Sequence, residues 1–233
     1  MPDRLAYSNA LRDVHPVEKI AFSLSFTVIS LISGSTAVHL TVIVMMAVVV
    51  LLIAKIPFWY YLKIMSLAFV FIFFGSAAIA FNSMDFHEAL CVFLRAAAAV
   101  SCFYFLILTT PVADTLSVLR KIRVPLVIVE LMGLTYRFIF VFMDIMQKTH
   151  TAQASRLGYS TLKRAYRSAG ILISNLFARM FRHADNLNTA LQSRGFTGEL
   201  RIMQRQFNFS AVNIVVITVS DVVLIAVGNL CSR

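Results

Sequence analysis

Charge is scarce in this chain. Only 14% of its 233 residues are Asp, Glu, Lys or Arg, where soluble proteins carry about 25%. The hydrophobic share is 59% and the mean hydropathy +0.81, against about 45–50% apolar residues in a soluble domain. That balance excludes an ordinary soluble fold and points to one integral polytopic membrane protein. Cysteine is also sparse: Cys91, Cys102 and Cys231 are too few and too scattered for a disulfide framework or a zinc cluster. No Walker-type glycine loop occurs, which removes nucleotide hydrolysis by that route. His87 and Cys91 share a helical face four residues apart, yet no third ligand stands near them and a closed metal site needs more. His15, His39, His150 and His183 form no cluster, and no nucleophile stands beside a base. The expectation is a non-catalytic protein without a metal or cofactor of its own. No signal peptide is expected either: Asp3, Arg4, Arg12, Asp13, Glu18 and Lys19 mix both signs, and no cleavage site follows a short apolar core. The chain is expected to keep its first residues.

What charge there is lies in one place. Between Gln147 and Phe207 stand ten Lys or Arg against two acids, Asp185 and Glu199, so this stretch holds +8 of the formal +10. A basic balance can serve nucleic acid, but basic residues also crowd the cytoplasmic loops of membrane proteins, where they set topology. The second account covers the distribution here, and no nucleic-acid partner is expected.

Five crossings are read from the hydropathy pattern. His15-Pro16-Val17-Glu18-Lys19 opens the first helix, since proline in a first turn forfeits no hydrogen bond, and Lys19 is placed at headgroup level by snorkelling. The polar break Ser33–Thr36 separates the first and second apolar runs, which form two crossings or a re-entrant pair. Lys55 to Lys63 brackets an aromatic cluster of interfacial type around the helix breaker Pro57. The third crossing covers 62–81, a turn at Asn82–Asp85 follows, and the fourth runs from about Glu88 to Thr109. The run Ala96–Ala99 allows a neighbouring helix to come close. Arg95 nearby either serves a polar function or is a residue near the helix end that snorkels or pairs with Glu88. The stretch 126–146 is apolar but carries Glu130, Arg137 and Asp144 at seven-residue spacing on one stripe. An amphipathic helix in the cytoplasmic interface suits it better than a crossing. Gly158 is expected to cap that helix, a short basic helix to fill 161–168, and Gly170 to mark a joint. From Ile171 to Arg194 a stripe of Leu172, Leu176, Met180, Ala184, Leu187 and Leu191 is amphipathic. The last crossing runs from Phe209 to Leu230. The fold class is all-α: about five transmembrane helices plus a cytoplasmic subdomain of amphipathic helices. Its divisions are a cytoplasmic N-terminal segment (1–16), a four-helix transmembrane region (17–110), a coupling-helix region (111–206) and a final transmembrane helix (207–230).

A short pattern occurs twice in the basic stretch: Ser155-Arg156-Leu157-Gly158-Tyr159 and Ser193-Arg194-Gly195-Phe196. Two readings compete. Each arginine can complement the negative end of its own helix, or the two can be pegs for two copies of an acidic groove, where a planar guanidinium engages a carboxylate with two hydrogen bonds.

With these motifs, Asp3, Asn9-Ala10-Leu11-Arg12, His15 to Lys19 and Tyr136-Arg137-Phe138, the chain resembles, over nearly its whole length, the transmembrane coupling (T) component of energy-coupling-factor transporters. The resemblance is to the cobalt-transport CbiQ branch. It implies that Ser155, Arg156 and Leu157, and Ser193, Arg194 and Gly195, are the coupling motifs that dock into two CbiO-like ABC ATPase subunits. It also implies a CbiM-like substrate-binding membrane subunit, with or without a small accessory membrane subunit, that binds the metal in place of this chain. Cobalt, nickel or another substrate all fit. The first motif departs from the family pattern by carrying Leu157 where a small residue is usual. The implied location is the plasma (inner) membrane of a prokaryote. A different class, a self-contained transporter or channel, would use Arg95, Asp221 and the stripe Glu130–Arg137–Asp144. Such proteins often repeat their spans, and no span repeat is visible here.

Overall fold

The computed structural model describes Ala6, Tyr7 and residues 9–83, 86–195 and 211–231, all of them in helices and the turns between them. Asp3, Met84, Asp85, Phe196 and the start of the last expected crossing lie outside the described residues. The helices are α1 (Pro16–Ile32), α2 (Thr36–Val48), α3 (Phe58–Ser83), α4 (Phe86–Thr109), α5 (Val112–Lys121), α6 (Leu126–Ser155), α7 (Leu162–Ser193) and α8 (Ala211–Cys231). α2 continues through a π-helical turn, Val49–Ile53. They form two compact units, Met1–Val118 with Arg205–Arg233, and Leu119–Gln204.

Helix breaks fall where proline dictates them. Pro16 occupies the first turn of α1, and the His15 ring accepts a hydrogen bond from the Val17 amide at 3.1 Å, so a free N–H at the helix start is satisfied. Pro57 separates the π-turn from α3, Pro111 follows α4, and Pro125 precedes α6.

In the first unit α4 packs against α1, α2 and α3, while α8 lies on α1 and α2. Ala97 and Ala98 are buried, and their small side chains let the neighbours of α4 approach. Phe22 stands 4.4 Å from Phe26 and 5.4 Å from Phe105, ring centre to ring centre. At Gly228 a Cβ would sit 3.4 Å from Val38, so α8 crosses α2 at close range there. The opposite face of α3 exposes Trp59, Phe71, Phe74 and Phe81; on a soluble protein such a surface would drive association, whereas in a bilayer it meets lipid.

Lys19 corrects one expectation. It does not snorkel: it is buried, and its ammonium donates to the Thr109 carbonyl at 3.0 Å, while Asn9 Nδ2 donates to the Leu108 carbonyl at 3.0 Å. Both acceptors are among the last carbonyls of α4, which have no partner inside the helix and favour a cation. Glu18, also buried, accepts from Asn213 Nδ2 of α8 at 2.8 Å. Arg95 is not paired with Glu88 as one expectation had it; its Nη2 reaches to 3.5 Å of the Ser33 carbonyl at the end of α1.

Among the described residues four helical stretches are long and apolar enough to cross a membrane by length and composition: Thr36–Ile53, Phe58–Phe81, Phe86–Thr109 and Leu126–Ser155. α1, at 17 residues, rises about 26 Å, at the short end of what spans a bilayer. Cysteine labelling tests the topology: a cysteine within 161–168 is expected to react only with reagent on the cytoplasmic side, and one at Ser83 with external reagent. The reverse pattern would place the +8 stretch against the charge rule and exclude the five-span arrangement.

In the second unit α6 and α7 form an antiparallel hairpin. Phe138 and Phe142 of α6 lie 6.5 and 6.2 Å from the His183 ring of α7, and Gln153 Nε2 donates to the Ser168 carbonyl at 3.1 Å. Leu172, Leu176, Met180, Leu187 and Leu191 are among the less exposed residues of α7, while Ala184 of the expected stripe is exposed. Gly170 is not a joint, and no separate short helix precedes it: α7 runs unbroken from Leu162 to Ser193. A glycine inside a helix costs about 1 kcal/mol, and the stripe packed along α6 outweighs it.

Candidate functional site

Both Ser-Arg motifs sit at the ends of the two long helices, and both ends are built alike. Ser155 and Ser193 are the last helical residues of α6 and α7, and Arg156 (φ −93°, ψ 17°) and Arg194 (φ −95°, ψ 12°) are the caps. The next residue is left-handed in each case, Leu157 at φ 57° and Gly195 at φ 67°. Behind Arg156, the Leu157 amide donates to Ala154 O at 3.0 Å and the Gly158 amide to Gln153 O at 2.9 Å. This pair of bonds is a Schellman motif. At the second end the Gly195 amide donates to Gln192 O at 3.1 Å, the corresponding bond.

The repeat is longer than the Ser-Arg pair. Ser155 Oγ donates to Thr151 O at 3.0 Å, and Ser193 Oγ to Thr189 O at 2.9 Å. Thr151 and Thr189 likewise donate to carbonyls four residues back, at 2.9 and 3.0 Å. Thr151-Ala152-Gln153-Ala154-Ser155-Arg156 therefore matches Thr189-Ala190-Leu191-Gln192-Ser193-Arg194. In the sequence, the Thr-Ala pair four residues before each Ser-Arg is the signal of this longer repeat.

Gly158 is not the left-handed cap that the sequence suggested. It is glycine for space: a Cβ there would meet Ser168 Oγ at 2.7 Å and Gln153 O at 2.8 Å. Ser168 Oγ donates to the Gly158 carbonyl at 2.9 Å, Tyr159 donates to Gln153 Oε1 at 2.8 Å, and the Tyr159 ring lies 4.6 Å from that of His150. The first motif is thus clamped between α6 and the start of α7. Opposite responses to alanine follow. G158A is expected to destabilise by about 1–3 kcal/mol through overpacking, whereas G170A, in an open helix interior, is expected to stabilise by up to about 1 kcal/mol. Thermal unfolding of the purified variants in detergent reads both signs.

Arg156 and Arg194 are exposed, and neither guanidinium has a hydrogen bond or an ion pair among the described residues. Backbone amides, not arginine side chains, close these helix ends. That weakens the dipole-complement reading and leaves both guanidiniums free to meet a carboxylate elsewhere. Because the hairpin is antiparallel, the motifs lie at its opposite ends. The 32 residues of α7 span roughly 48 Å at about 1.5 Å per residue.

The residues that a self-contained transporter would use have separate partners. Asp221 accepts from Ser25 Oγ at 3.0 Å, in the middle of α1, while Arg95 reaches the far end of that helix at Ser33. In the other unit Asp144 pairs with Lys148 at 2.6 Å on an exposed surface. Among the described residues no three of His, Cys, Asp or Glu are grouped to hold a metal.

Comparison with known proteins decides the family. The family model described as cobalt transport protein, CbiQ, matches residues 7–204. The chain belongs to the CbiQ family. It is 31% identical to the cobalt transport protein CbiQ of Rhodobacter capsulatus, over 98% of this chain and 97% of that one. It is 30% identical to a putative fused cobalt transport protein CbiMQ of Methanocorpusculum labreanum, over 88% of this chain and 38% of that longer protein. To the energy-coupling factor transporter transmembrane protein EcfT of Lactococcus lactis it is 30% identical, over 57% and 56% of the two chains. This CbiQ-family chain is a multi-pass protein of the prokaryotic plasma membrane and a membrane component of the cobalt and energy-coupling-factor transport class.

Proposed function

We propose that the chain is the coupling subunit of an energy-coupling-factor-type ABC uptake transporter for cobalt ion, carrying motion from two ATPase subunits to a substrate-binding membrane subunit. The carrying observation is the pair of helix ends with one architecture, each offering an arginine that is exposed and unpaired among the described residues. Two like pegs suit two like grooves, as a two-fold ATPase pair presents. A guanidinium suits a groove carboxylate through paired hydrogen bonds. The chain itself is non-catalytic: hydrolysis belongs to the ATPases, and the metal to the substrate-binding subunit. The fused CbiMQ relative supports a CbiM-like protein as that subunit. The test is the composition of the complex purified by a tag on this chain from its host membrane. Two ATPase subunits and a substrate-binding membrane protein per chain support the proposal, and a chain that never carries an ATPase contradicts it.

A further inference from the structure

Leu157 occupies a conformation that a leucine resists. Its φ is 57°, and the left-handed region costs a residue with a Cβ roughly 1–2 kcal/mol. Glycine fills the equivalent place in the second motif, Gly195. Lys55 and Arg123 are also left-handed, at φ 53° and 64°, but their long side chains carry charged ends to water. Leu157 has no such use, and it returns little inside the molecule, since it is 67% exposed. The hydrophobic contact that often accompanies a Schellman motif runs from the second residue past the cap; that residue here is Gly158, which has no side chain to give. The strain is nonetheless enforced by the Schellman bonds and by the Ser168–Gly158–Gln153 clamp. Backbone strain held by its surroundings at an exposed apolar residue points to a contact made with something else.

We infer that Leu157 is an apolar knob for the ATPase subunit that receives Arg156, so that the first groove pairs its carboxylate with an adjoining aliphatic or aromatic pocket. This rests on the coupling reading above. The second motif has Gly195 at the equivalent place and offers no side chain there, so the two ends of the hairpin dock unequally, the Arg156 end more tightly. The Arg156 fork fits a carboxylate and a lipid phosphate alike; the ATPase is taken as the occupant because the knob adjoins the arginine that the coupling reading assigns to it, and a lipid contact would leave ATPase affinity unchanged in the Leu157 variants.

The experiment titrates the host's purified energy-coupling-factor ATPase onto the chain in nanodiscs, for wild type, L157G, L157A and R156E, and records the melting temperature of each chain alone. L157G and L157A are expected to weaken affinity by about tenfold or more, the factor that burial of one leucine side chain supplies. L157G, relieved of its strain, is expected to melt at or above the wild-type temperature. A side chain that served internal packing would lower it, and a lowered melting temperature overturns the inference. Wild-type affinity in both Leu157 variants, with binding lost in R156E, overturns the inference and leaves the coupling reading standing. Wild-type affinity in R156E as well removes the coupling reading itself.

Discussion

R156E combined with R194E is expected to abolish recovery of the ATPase with the chain, while the protein still inserts in the membrane. Each single reversal is expected to weaken docking measurably. Truncating one partner of a buried, hydrogen-bonded charge pair costs about 2–5 kcal/mol, and reversal adds repulsion. With two grooves the losses combine, and few interfaces absorb that much. Helix-end stabilisation by the same arginines predicts something else: about 0.3–1 kcal/mol of helix stability each, with docking kept. The hydrogen bonds already favour the first outcome, because backbone amides satisfy Gln153 and Ala154 at one end and Gln192 at the other. Insertion is expected to survive because both side chains are exposed and unpaired among the described residues. Co-purification in detergent measures the effect. An acid-to-arginine change in the ATPase groove that restores binding to the glutamate variants would establish direct pairing, and undiminished recovery with the double variant would remove the arginines from the mechanism.

K19M is expected to destabilise the membrane unit by about 1.5–3 kcal/mol, the contribution of a hydrogen bond from a charged donor. Methionine keeps much of the aliphatic bulk but leaves the Thr109 carbonyl, at the end of α4, without the ammonium it now receives at 3.0 Å. Because α4 is the helix against which α1, α2 and α3 all pack, the loss falls on the centre of the unit. N9A, which removes the donor to Leu108 O, is expected to act in the same direction and less strongly, since its donor is neutral. A lowered melting temperature in detergent, with ATPase docking retained by the surviving folded fraction, separates this role from coupling. If Lys19 only anchored the headgroup region, K19M would melt as wild type.

Breaks set by proline were legible, because a missing N–H and a fixed φ act locally: Pro16, Pro57, Pro111 and Pro125 all fall at helix boundaries. The glycines misled. Gly158 was read as a conformational residue and is a spatial one, pressed against Ser168 and Gln153. Gly170 was read as a break and lies within a helix. A glycine's use depends on neighbours that composition does not reveal. Lys19 was misplaced for a related reason: its acceptor lies 90 residues away in the chain, and a lysine beside an apolar run looks the same whether it meets lipid or a carbonyl. The Ser-Arg pair was legible because the chain states it twice, while the left-handed leucine that distinguishes its two copies required the backbone.

Metal uptake by purified components in liposomes addresses the assignment most directly. Four preparations decide it: this chain alone, the chain with the ATPases, the chain with the substrate-binding subunit, and all three together, each with labelled cobalt, with and without ATP. A coupling subunit predicts ATP-dependent uptake by the full set only, and its loss when the chain carries R156E with R194E. Cobalt flux through this chain alone, with no ATP and no partner, would contradict the assignment and return the function to the chain's own intramembrane charges.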